Sequence, residues 1–288
     1  MAQQRVNAPR PPMSLRFEAN GISVHYLDWG EGSPKHVVLL HGLGGQGHSW
    51  DQFAQEMRES LRVVAPDLRG HGESGHAADG YTLDKFSADV KALTRHLNLP
   101  SFDLVGHSLG ALIAIWFAAQ YPGLVNRLVL VDGGPGLDLD LVRQRSTERF
   151  ARPLGFDSSE EAKEWQRGQY PTRSDEWLKQ RVEHGMILNW AGKWVFRHDP
   201  ELYWVFGRSN QQLQEQEQQT WEKLAAIQCP VLLLRGQVSP LLSLEVARRI
   251  ASAVHNGTLL EIPGAGHDIP SDAPKAFRNA VVKFLVGE

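Results

Sequence analysis

The sequence predicts an α/β protein with a mostly parallel, doubly wound sheet and an inserted helical segment. Apolar runs typical of strands alternate with helical stretches from residue 36 to 131 and again from 230 to 285, as they do when helices connect parallel strands. Residues 134–220 break this alternation, contain five tryptophans and follow the pattern of several amphipathic helices. We therefore predict a core of residues 14–133 and 221–288, interrupted by a helical segment at 134–220.

The elements of the core follow from local patterns. Residues 14–19 and 22–29 flank Asn20-Gly21, a pair favoured in tight turns, and are predicted to form an antiparallel hairpin. Continuous apolar runs predict buried strands at residues 37–40, 62–65, 102–105, 128–131, 231–234 and 258–262. Helices are predicted at residues 50–59, 83–97, 109–121, 244–254 and 274–285.

Composition excludes several classes of function. The net charge is −3, and the lysines and arginines alternate with acidic residues, so the chain offers no basic surface for nucleic acid. Residues 1–13 are rich in Gln, Pro and Arg without an apolar run; they are predicted to be a disordered arm, neither signal peptide nor membrane span. The single cysteine, Cys229, excludes an intramolecular disulfide and favours a reducing compartment. We therefore expect a cytoplasmic protein without membrane partners, either monomeric or homodimeric.

The pentapeptide Gly106-His107-Ser108-Leu109-Gly110 stands between a predicted strand and a predicted helix. A serine at such a sharp, strained turn projects its hydroxyl above the sheet, and the flanking glycines avoid a collision between a Cβ and neighbouring backbone. The amide of Leu109 is free at the helix N-terminus, where it can stabilise negative charge that develops on a carbonyl oxygen. Ser108 is therefore the predicted nucleophile and Leu109 a predicted oxyanion donor.

Two further loops follow predicted strands. His41-Gly42-Leu43-Gly44-Gly45 follows the strand at 37–40 and exposes backbone amides, and Gly264-Ala265-Gly266-His267 follows the strand at 258–262. A histidine on a flexible loop after the last strand can bring its imidazole over the nucleophile.

The order of the loop at His41, Ser108 and His267 along the chain resembles that of the α/β-hydrolase superfamily. The resemblance extends over residues 17–285. The segment at 66–74 and Tyr81-Thr82-Leu83 fit it as well. The resemblance implies an acyl-enzyme mechanism in which His267 is the base and the Leu43 amide is the second oxyanion donor. It also implies a helical cap at 134–220 over the active site, and no cofactor. Serine at the turn argues against the haloalkane dehalogenase and epoxide hydrolase branches, which use aspartate there. The expected activity is hydrolysis of a carboxylic ester of a small molecule.

The third catalytic residue departs from the commonest pattern of the family. That pattern has an aspartate shortly after the seventh strand, but residues 236–240 here contain no carboxylate. A minority of the superfamily has the acid after the sixth strand, where Asp132 ends the run at 128–131. Asp132 is therefore predicted to bind the ring of His267. Asp268 is the competitor, but a residue adjacent to His267 reaches that ring with difficulty.

The substrate pocket is less defined by sequence. His41 and His107 flank the proposed site, either as pocket residues or as side chains that bind loop backbone. Trp190 and Trp194 are four residues apart and are predicted to share a helical face toward the substrate. Five arginines of the inserted segment are candidate partners for a substrate carboxylate: Arg143, Arg145, Arg149, Arg173 and Arg181. No catalytic metal is expected, because the loop histidines have no carboxylate at ligand spacing.

Three other functions remain as alternatives. The first is an amide or lactone hydrolase acting on a carboxylate-bearing small molecule, and the second is a non-catalytic small-molecule receptor of the same fold. The third is a dinucleotide-binding oxidoreductase, since residues 42–47 satisfy G-x-G-x-x-G and Asp67 stands near the position of a ribose-binding acid. The third leaves Ser108 and His267 without a role.

Overall fold

A computed structural model describes residues 10–30, 33–138, 140–141, 144, 153–202 and 209–287. In these ranges, eight strands belong to one sheet and two form a separate hairpin. The strands are β1 Met13–Ala19, β2 Ile22–Asp28, β3 His36–Leu40, β4 Arg62–Pro66, β5 Phe102–His107, β6 Val125–Val131, β7 Met186–Leu188, β8 Trp194–Phe196, β9 Val231–Gly236 and β10 Gly257–Ile262. Most of the arm predicted at 1–13 lies outside the described residues, but Met13 belongs to β1.

The helices of the described chain are close to their predicted bounds in the core. They are a 3₁₀ turn Gly47–Trp50, α1 Asp51–Met57, α2 Leu83–His96, α3 Leu109–Gln120, α4 Ser159–Gln169, α5 Asp175–Gly185, α6 Asn210–Ala225, α7 Leu244–Ala253, α8 Ile269–Asp272 and α9 Pro274–Val286. Side chains of Thr82 and Ser243 cap α2 and α7 by accepting from the amides of Lys85 and Val246. None of the described helices combines the length and apolarity that a membrane span needs.

The sheet has the order β1-β2-β4-β3-β5-β6-β9-β10. β1 pairs antiparallel with β2, and β2 pairs antiparallel with β4, whereas every other pair is parallel. The carboxyl ends of β3, β5, β6, β9 and β10 therefore meet at one edge, where loops carry functional side chains in open α/β sheets. The prediction of a mostly parallel, doubly wound sheet is confirmed.

Both faces of the sheet are buried, which explains the continuous apolar runs. Along β3, Val38 and Leu40 pack into the cluster that includes α2, α3 and α7, whereas Val37 and Leu39 pack toward α1 and α9. Each fully buried side chain of this kind contributes about 1.5–3 kcal/mol of transfer free energy. The core thereby fixes the strand ends that carry the candidate site.

The inserted segment is not wholly helical. After α4 and α5, the chain forms the antiparallel hairpin β7–β8, in which Met186 pairs with Phe196 and Leu188 with Trp194. The sequence predicts amphipathic helices in residues 134–220, and this prediction is wrong for residues 186–188 and 194–196. These strands have three residues each, too few for the alternation of side chains to stand out in the sequence.

The last helix of the segment, α6, crosses the predicted boundary at residue 220. The indole Nε1 of Trp116 on α3 donates to Thr220 Oγ1 at 3.1 Å, and Leu224 is buried in the core cluster. α6 thus returns the chain to the core by packing on α3. The division of the chain at 134 and 220 stays a prediction.

Candidate active site

Ser108 lies in the strained turn between β5 and α3. Its backbone has φ 54° and ψ −113°, a conformation that costs a non-glycine residue of order 1–3 kcal/mol. The two glycines of the pentapeptide permit the turn. A Cβ on Gly106 would lie 2.2 Å from the carbonyl oxygen of Gly110, and a Cβ on Gly110 would lie 2.2 Å from that of Leu40. Close contact between β5, α3 and β3 therefore demands glycine at both positions.

The structure brings Ser108, His267 and Asp132 into one hydrogen-bonded chain. The Ser108 hydroxyl lies 3.0 Å from His267 Nε2, and His267 Nδ1 lies 2.8 Å from Asp132 Oδ2. With the imidazole proton on Nδ1, the ring donates to the carboxylate and accepts from the hydroxyl. This is the tautomer that a general base for a serine nucleophile requires.

Asp132 follows β6, and its backbone also adopts a left-handed conformation with φ 43°. The carboxylate is fully buried, yet three donors satisfy it: the Gly236 amide at 2.9 Å, the Ser239 hydroxyl at 2.5 Å, and His267. The Asp268 carboxylate is not part of this hydrogen-bonded chain; it accepts from Arg173 at 3.1 Å. The end of β9 thus contributes donors to an acid that β6 supplies.

Ser239 is a further residue of the site, and no local sequence pattern identifies it. It stands in the loop after β9, where the family's commonest acid would be, and there the sequence shows only that a carboxylate is missing. Its hydroxyl bonds the relocated acid and accepts from the amides of Leu241 and Leu242 at 3.3 and 3.4 Å. A buried carboxylate after β6 implies donors from the adjacent strand, and this is the signal that could have identified Ser239.

The two predicted oxyanion donors, Leu43 and Leu109, border the same cavity as Ser108. Leu109 is the first residue of α3, so its amide has no partner within the helix. Leu43 lies in a turn closed by the Gly45 amide, which donates to Gly42 O at 3.0 Å. Neither amide donates to another group within the described chain. Both remain available to an oxygen that binds beside Ser108.

His41 holds the Leu43 loop in place. The ring is buried; Nδ1 donates to Gly42 O at 2.8 Å, and Nε2 accepts from the Leu68 amide at 3.1 Å. Burial lowers the pKa of His41, so the ring is neutral, as these two bonds require. His41 borders the cavity, but both its nitrogens bind backbone.

His107 contacts the loop that carries His267. Its Nε2 donates to the backbone carbonyl of His267 at 2.9 Å, and burial, followed by the nearby His267, lowers its pKa. Like His41, it borders the cavity while its hydrogen bond goes to loop backbone. His107 is thus placed to orient the His267 loop.

A cavity of about 1170 Å³ opens above Ser108, between the sheet edge and the inserted segment. Its walls include the side chains of Trp165, Tyr170, Trp177, Phe196 and Leu202. The prediction that Trp190 and Trp194 line the pocket from one helical face is wrong, because both belong to the β7–β8 hairpin and its turn. Trp190 is 99% exposed, and Trp194 packs on the small apolar cluster around Phe156.

The candidate arginines divide into three groups. Arg143, Arg145 and Arg149 lie outside the described residues. Arg173 borders the cavity but is paired with the carboxylates of Asp268 and Asp272, at 3.1 and 2.7 Å. Arg181 also borders the cavity, and no described carboxylate forms an ion pair with it.

Asp67 does not fit the role that a dinucleotide site would give it. The carboxylate is buried and accepts from His25 Nδ1, the Gly47 amide and the Glu73 amide, at 2.8, 2.6 and 2.7 Å. Burial alone would raise the pKa of Asp67, but the His25 hydrogen bond and the other partners hold it below its ordinary value. The carboxylate is 3% exposed and its three hydrogen bonds fix neighbouring loops, so it is not presented to a ribose.

Comparisons with known proteins identify relatives of this chain. A family model described as the alpha/beta hydrolase fold matches residues 35–274. The chain is 31% identical to a 3-hydroxybutyrate-oligomer hydrolase of Cupriavidus necator, over 84% of this chain and 86% of that protein. It is also 31% identical to the esterase Rv0045c of Mycobacterium tuberculosis, over 95% of this chain and 89% of the relative.

Solved structures share the fold as well. The crystal structure of an E-2-(acetamidomethylene)succinate hydrolase superposes with a TM-score of 0.86 at 22% identity, and the match covers 96% of this chain and 99% of the other. A match at that identity shows the fold alone. The family model matches residues 35–274, and esterase and hydrolase relatives align along most of their length. This chain therefore belongs to the α/β-hydrolase family.

Proposed function

We propose that this protein is a serine hydrolase that cleaves a carboxylic ester of a small molecule through a covalent acyl-enzyme. One observation carries the proposal. The hydroxyl of Ser108 and the ring of His267 border the cavity, and a continuous chain of hydrogen bonds joins them to the buried carboxylate of Asp132. Membership of a family with esterase relatives supports it.

The steps follow from the positions of the proton donors and acceptors. His267 Nε2 takes the Ser108 proton as the oxygen attacks the ester carbonyl, and Asp132 stabilises the imidazolium that forms. The tetrahedral oxyanion lies between the amides of Leu43 and Leu109, at the positive end of α3. His267 then protonates the leaving alcohol oxygen. In the second half, it activates water, which releases the acid and restores Ser108.

Two observations support a substrate with an apolar portion of moderate size. The cavity of about 1170 Å³ exceeds the volume of a simple acetate ester, and its walls are rich in aromatic side chains. Cap residues on α4 and α5 supply much of that aromatic surface. The acyl or alcohol group is therefore expected to pack against the inserted segment rather than against the sheet.

A chain-length series of p-nitrophenyl esters, from acetate to decanoate, tests the proposal. We expect turnover of several esters, and a loss of roughly 10⁴-fold or more in Ser108→Ala with an unchanged circular dichroism spectrum. A fluorophosphonate probe should label the native protein and leave Ser108→Ala unlabelled. A receptor of this fold would bind ligands without turnover; an absence of both hydrolysis and labelling would refute the hydrolytic function.

A second candidate function is hydrolysis of an ester, amide or lactone that carries a free carboxylate. The position of Arg181 favours it. Its Nε donates to Gln166 Oε1 at 2.9 Å, and the guanidinium lies 5.2 Å from the ring centroid of Tyr170 and 4.9 Å from that of Trp177. These contacts hold the cation at the cavity wall, where no described carboxylate is paired with it. One relative of the chain is a 3-hydroxybutyrate-oligomer hydrolase.

Two matched substrates test this candidate. We expect Arg181→Met to raise the KM for p-nitrophenyl hemisuccinate about tenfold or more, since a charge-assisted hydrogen bond contributes about 1.5–3 kcal/mol, and to leave the KM for p-nitrophenyl butyrate unchanged. Lys179→Met, an exposed substitution on the same helix, is the control. Equal changes for both esters would assign Arg181 to the packing of the cap.

A further inference from the structure

A cluster of two histidines and one aspartate lies beside the candidate active site and takes no part in the proposed mechanism. His48 belongs to the 3₁₀ turn after the Leu43 loop, Asp51 begins α1, and His184 lies in the last turn of α5. One side-chain ligand atom from each residue lies within 4.8 Å of the other two. The cluster therefore joins the core to the inserted segment.

The contacts inside the cluster are close. His48 Nδ1 lies 3.0 Å from both carboxylate oxygens of Asp51, and the rings of His48 and His184 stack with centroids 3.6 Å apart and planes 15° apart. His48 and Asp51 are 20% and 26% exposed, so solvent reaches the cluster without surrounding it. Ions can enter, and the ligand atoms are only partly hydrated.

The ligand types of this cluster fit a transition metal ion rather than an alkaline-earth ion. Neutral imidazole is a ligand for Zn²⁺, Ni²⁺ and Cu²⁺, and one carboxylate adds a negative charge. A set of two nitrogens and one oxygen excludes a preference for Mg²⁺ or Ca²⁺, which take oxygen ligands.

The distances agree with such an ion. Zn–N and Zn–O bonds of about 2.0–2.2 Å in tetrahedral geometry separate ligand atoms by about 3.4 Å. The His48–Asp51 separation of 3.0 Å needs to widen slightly, and any pair at the 4.8 Å limit needs to close by about 1.4 Å. Binding therefore requires rotations of the three side chains about their own bonds, and the stacked rings of His48 and His184 need to turn so that a nitrogen of each faces the ion.

We propose that His48, Asp51 and His184 form a binding site for one divalent transition metal ion, Zn²⁺ in the first instance, which ties the end of α5 to the loop after β3. The end of α5 already lies next to a side chain of this loop, since a Cβ on Gly185 would lie 3.5 Å from Gln46 Oε1. A bound ion restrains the inserted segment over the cavity, so it should also reduce hydrolysis. That last consequence rests on the proposed function; metal binding does not.

The test uses the full chain, freed of metal with a chelator and titrated with Zn²⁺ by isothermal calorimetry and by thermal unfolding. We expect one Zn²⁺ per chain, a Tm that rises with Zn²⁺ concentration, and no response to Mg²⁺. His48→Gln and His184→Gln should each weaken binding by about 10- to 100-fold or more, while the exposed His255→Gln should bind as the native chain does. His184→Phe retains a stacked ring and should keep the metal-free Tm while losing the response to Zn²⁺.

Several outcomes would overturn the proposal. Absence of binding to the native chain at millimolar Zn²⁺ would do so, as would native affinity in either His→Gln variant. Loss of the single site in His267→Ala, with the His48 and His184 variants unaffected, would assign the metal to the catalytic histidine instead. An equal destabilisation of metal-free His184→Phe and His184→Gln, with Zn²⁺ binding kept in both, would reduce the cluster to a packing contact.

Discussion

Replacing Asp132 by asparagine should nearly abolish hydrolysis while preserving the fold, because the side chain keeps its shape and exchanges one acceptor for a donor. In the native protein, the Asp132 carboxylate accepts from three donors: the Gly236 amide, the Ser239 hydroxyl and His267 Nδ1. An asparagine has one acceptor oxygen for these contacts and an NH₂ group that can only donate. The two possible orientations of the amide therefore have different consequences.

In the first orientation, the amide oxygen accepts from Gly236 and the NH₂ group faces His267. The ring must then accept at Nδ1 and carry its proton on Nε2, where it donates toward Ser108 and no longer acts as a base. In the second orientation, the oxygen faces His267 but the NH₂ group opposes the Gly236 amide, only 2.9 Å away in the present structure. A buried donor without an acceptor costs about 1–3 kcal/mol, so the inactive orientation is favoured.

The expected loss in kcat/KM is about 10⁴-fold, which corresponds to about 5.4 kcal/mol of activation free energy at 1.36 kcal/mol per tenfold change. The assay is hydrolysis of p-nitrophenyl butyrate at pH 7.5, with circular dichroism to verify the fold. Asp268→Asn is the matched control. It is adjacent to His267 in sequence, yet its carboxylate pairs with Arg173, so its loss should be less than about tenfold. Retention of more than a tenth of native turnover in Asp132→Asn, or an equal loss in Asp268→Asn, would refute the reasoning.

Three further predictions concern the surroundings of this site. Ser239→Ala removes a donor 2.5 Å from Asp132 Oδ2, so kcat should fall about tenfold and urea unfolding should show a loss of about 1–3 kcal/mol; native values for both would mean that the hydroxyl is dispensable. His71 is fully buried, and burial followed by His41 lowers its pKa to about 3, so the folded state stays neutral while the unfolded chain takes up a proton below pH 6.5. The contribution of neutral His71 to the free energy of unfolding is complete above pH 6.5. It declines as the pH falls toward about 3, and the loss is about 2 kcal/mol at pH 5. Urea unfolding at pH 5 and 7.5 should show this loss, and His71→Gln should reduce it. Trp177→Ala removes an aromatic wall of the cavity and should shift the preferred acyl length, whereas Trp190→Ala, at a 99% exposed position, should leave the profile unchanged; identical profiles for all three proteins would remove Trp177 from the substrate site.

Much of the core could be predicted from the sequence, because local patterns specify it. Continuous apolar runs identify strands buried on both faces, and Gly106 and Gly110 are needed where β5, α3 and β3 approach within contact distance. Ser108, His267 and Asp132 could be named because each ends or follows such a strand. Parallel strands place their carboxyl ends at one edge, which brings residues distant in sequence together.

The inserted segment was harder to predict, and the reason is physical. Its hairpin strands have three residues each, so no hydrophobic period is long enough to distinguish a strand from a helix. Trp190 and Trp194 are spaced for one face of a helix, but the hairpin turn exposes the first and packs the second on Phe156. Spacing therefore assigned these tryptophans to the wrong environment.

The sequence by itself determined the sheet, the strained turn at Ser108 and the family, because each depends on patterns within a few consecutive residues. Only the tertiary structure decided which groups meet across the sheet edge and the cap. It placed the Ser239 hydroxyl on Asp132, paired Asp268 with Arg173, and stacked His184 on His48. Such contacts depend on the relative placement of separate loops and helices, and no local pattern of apolar and polar residues encodes the distance between two of them.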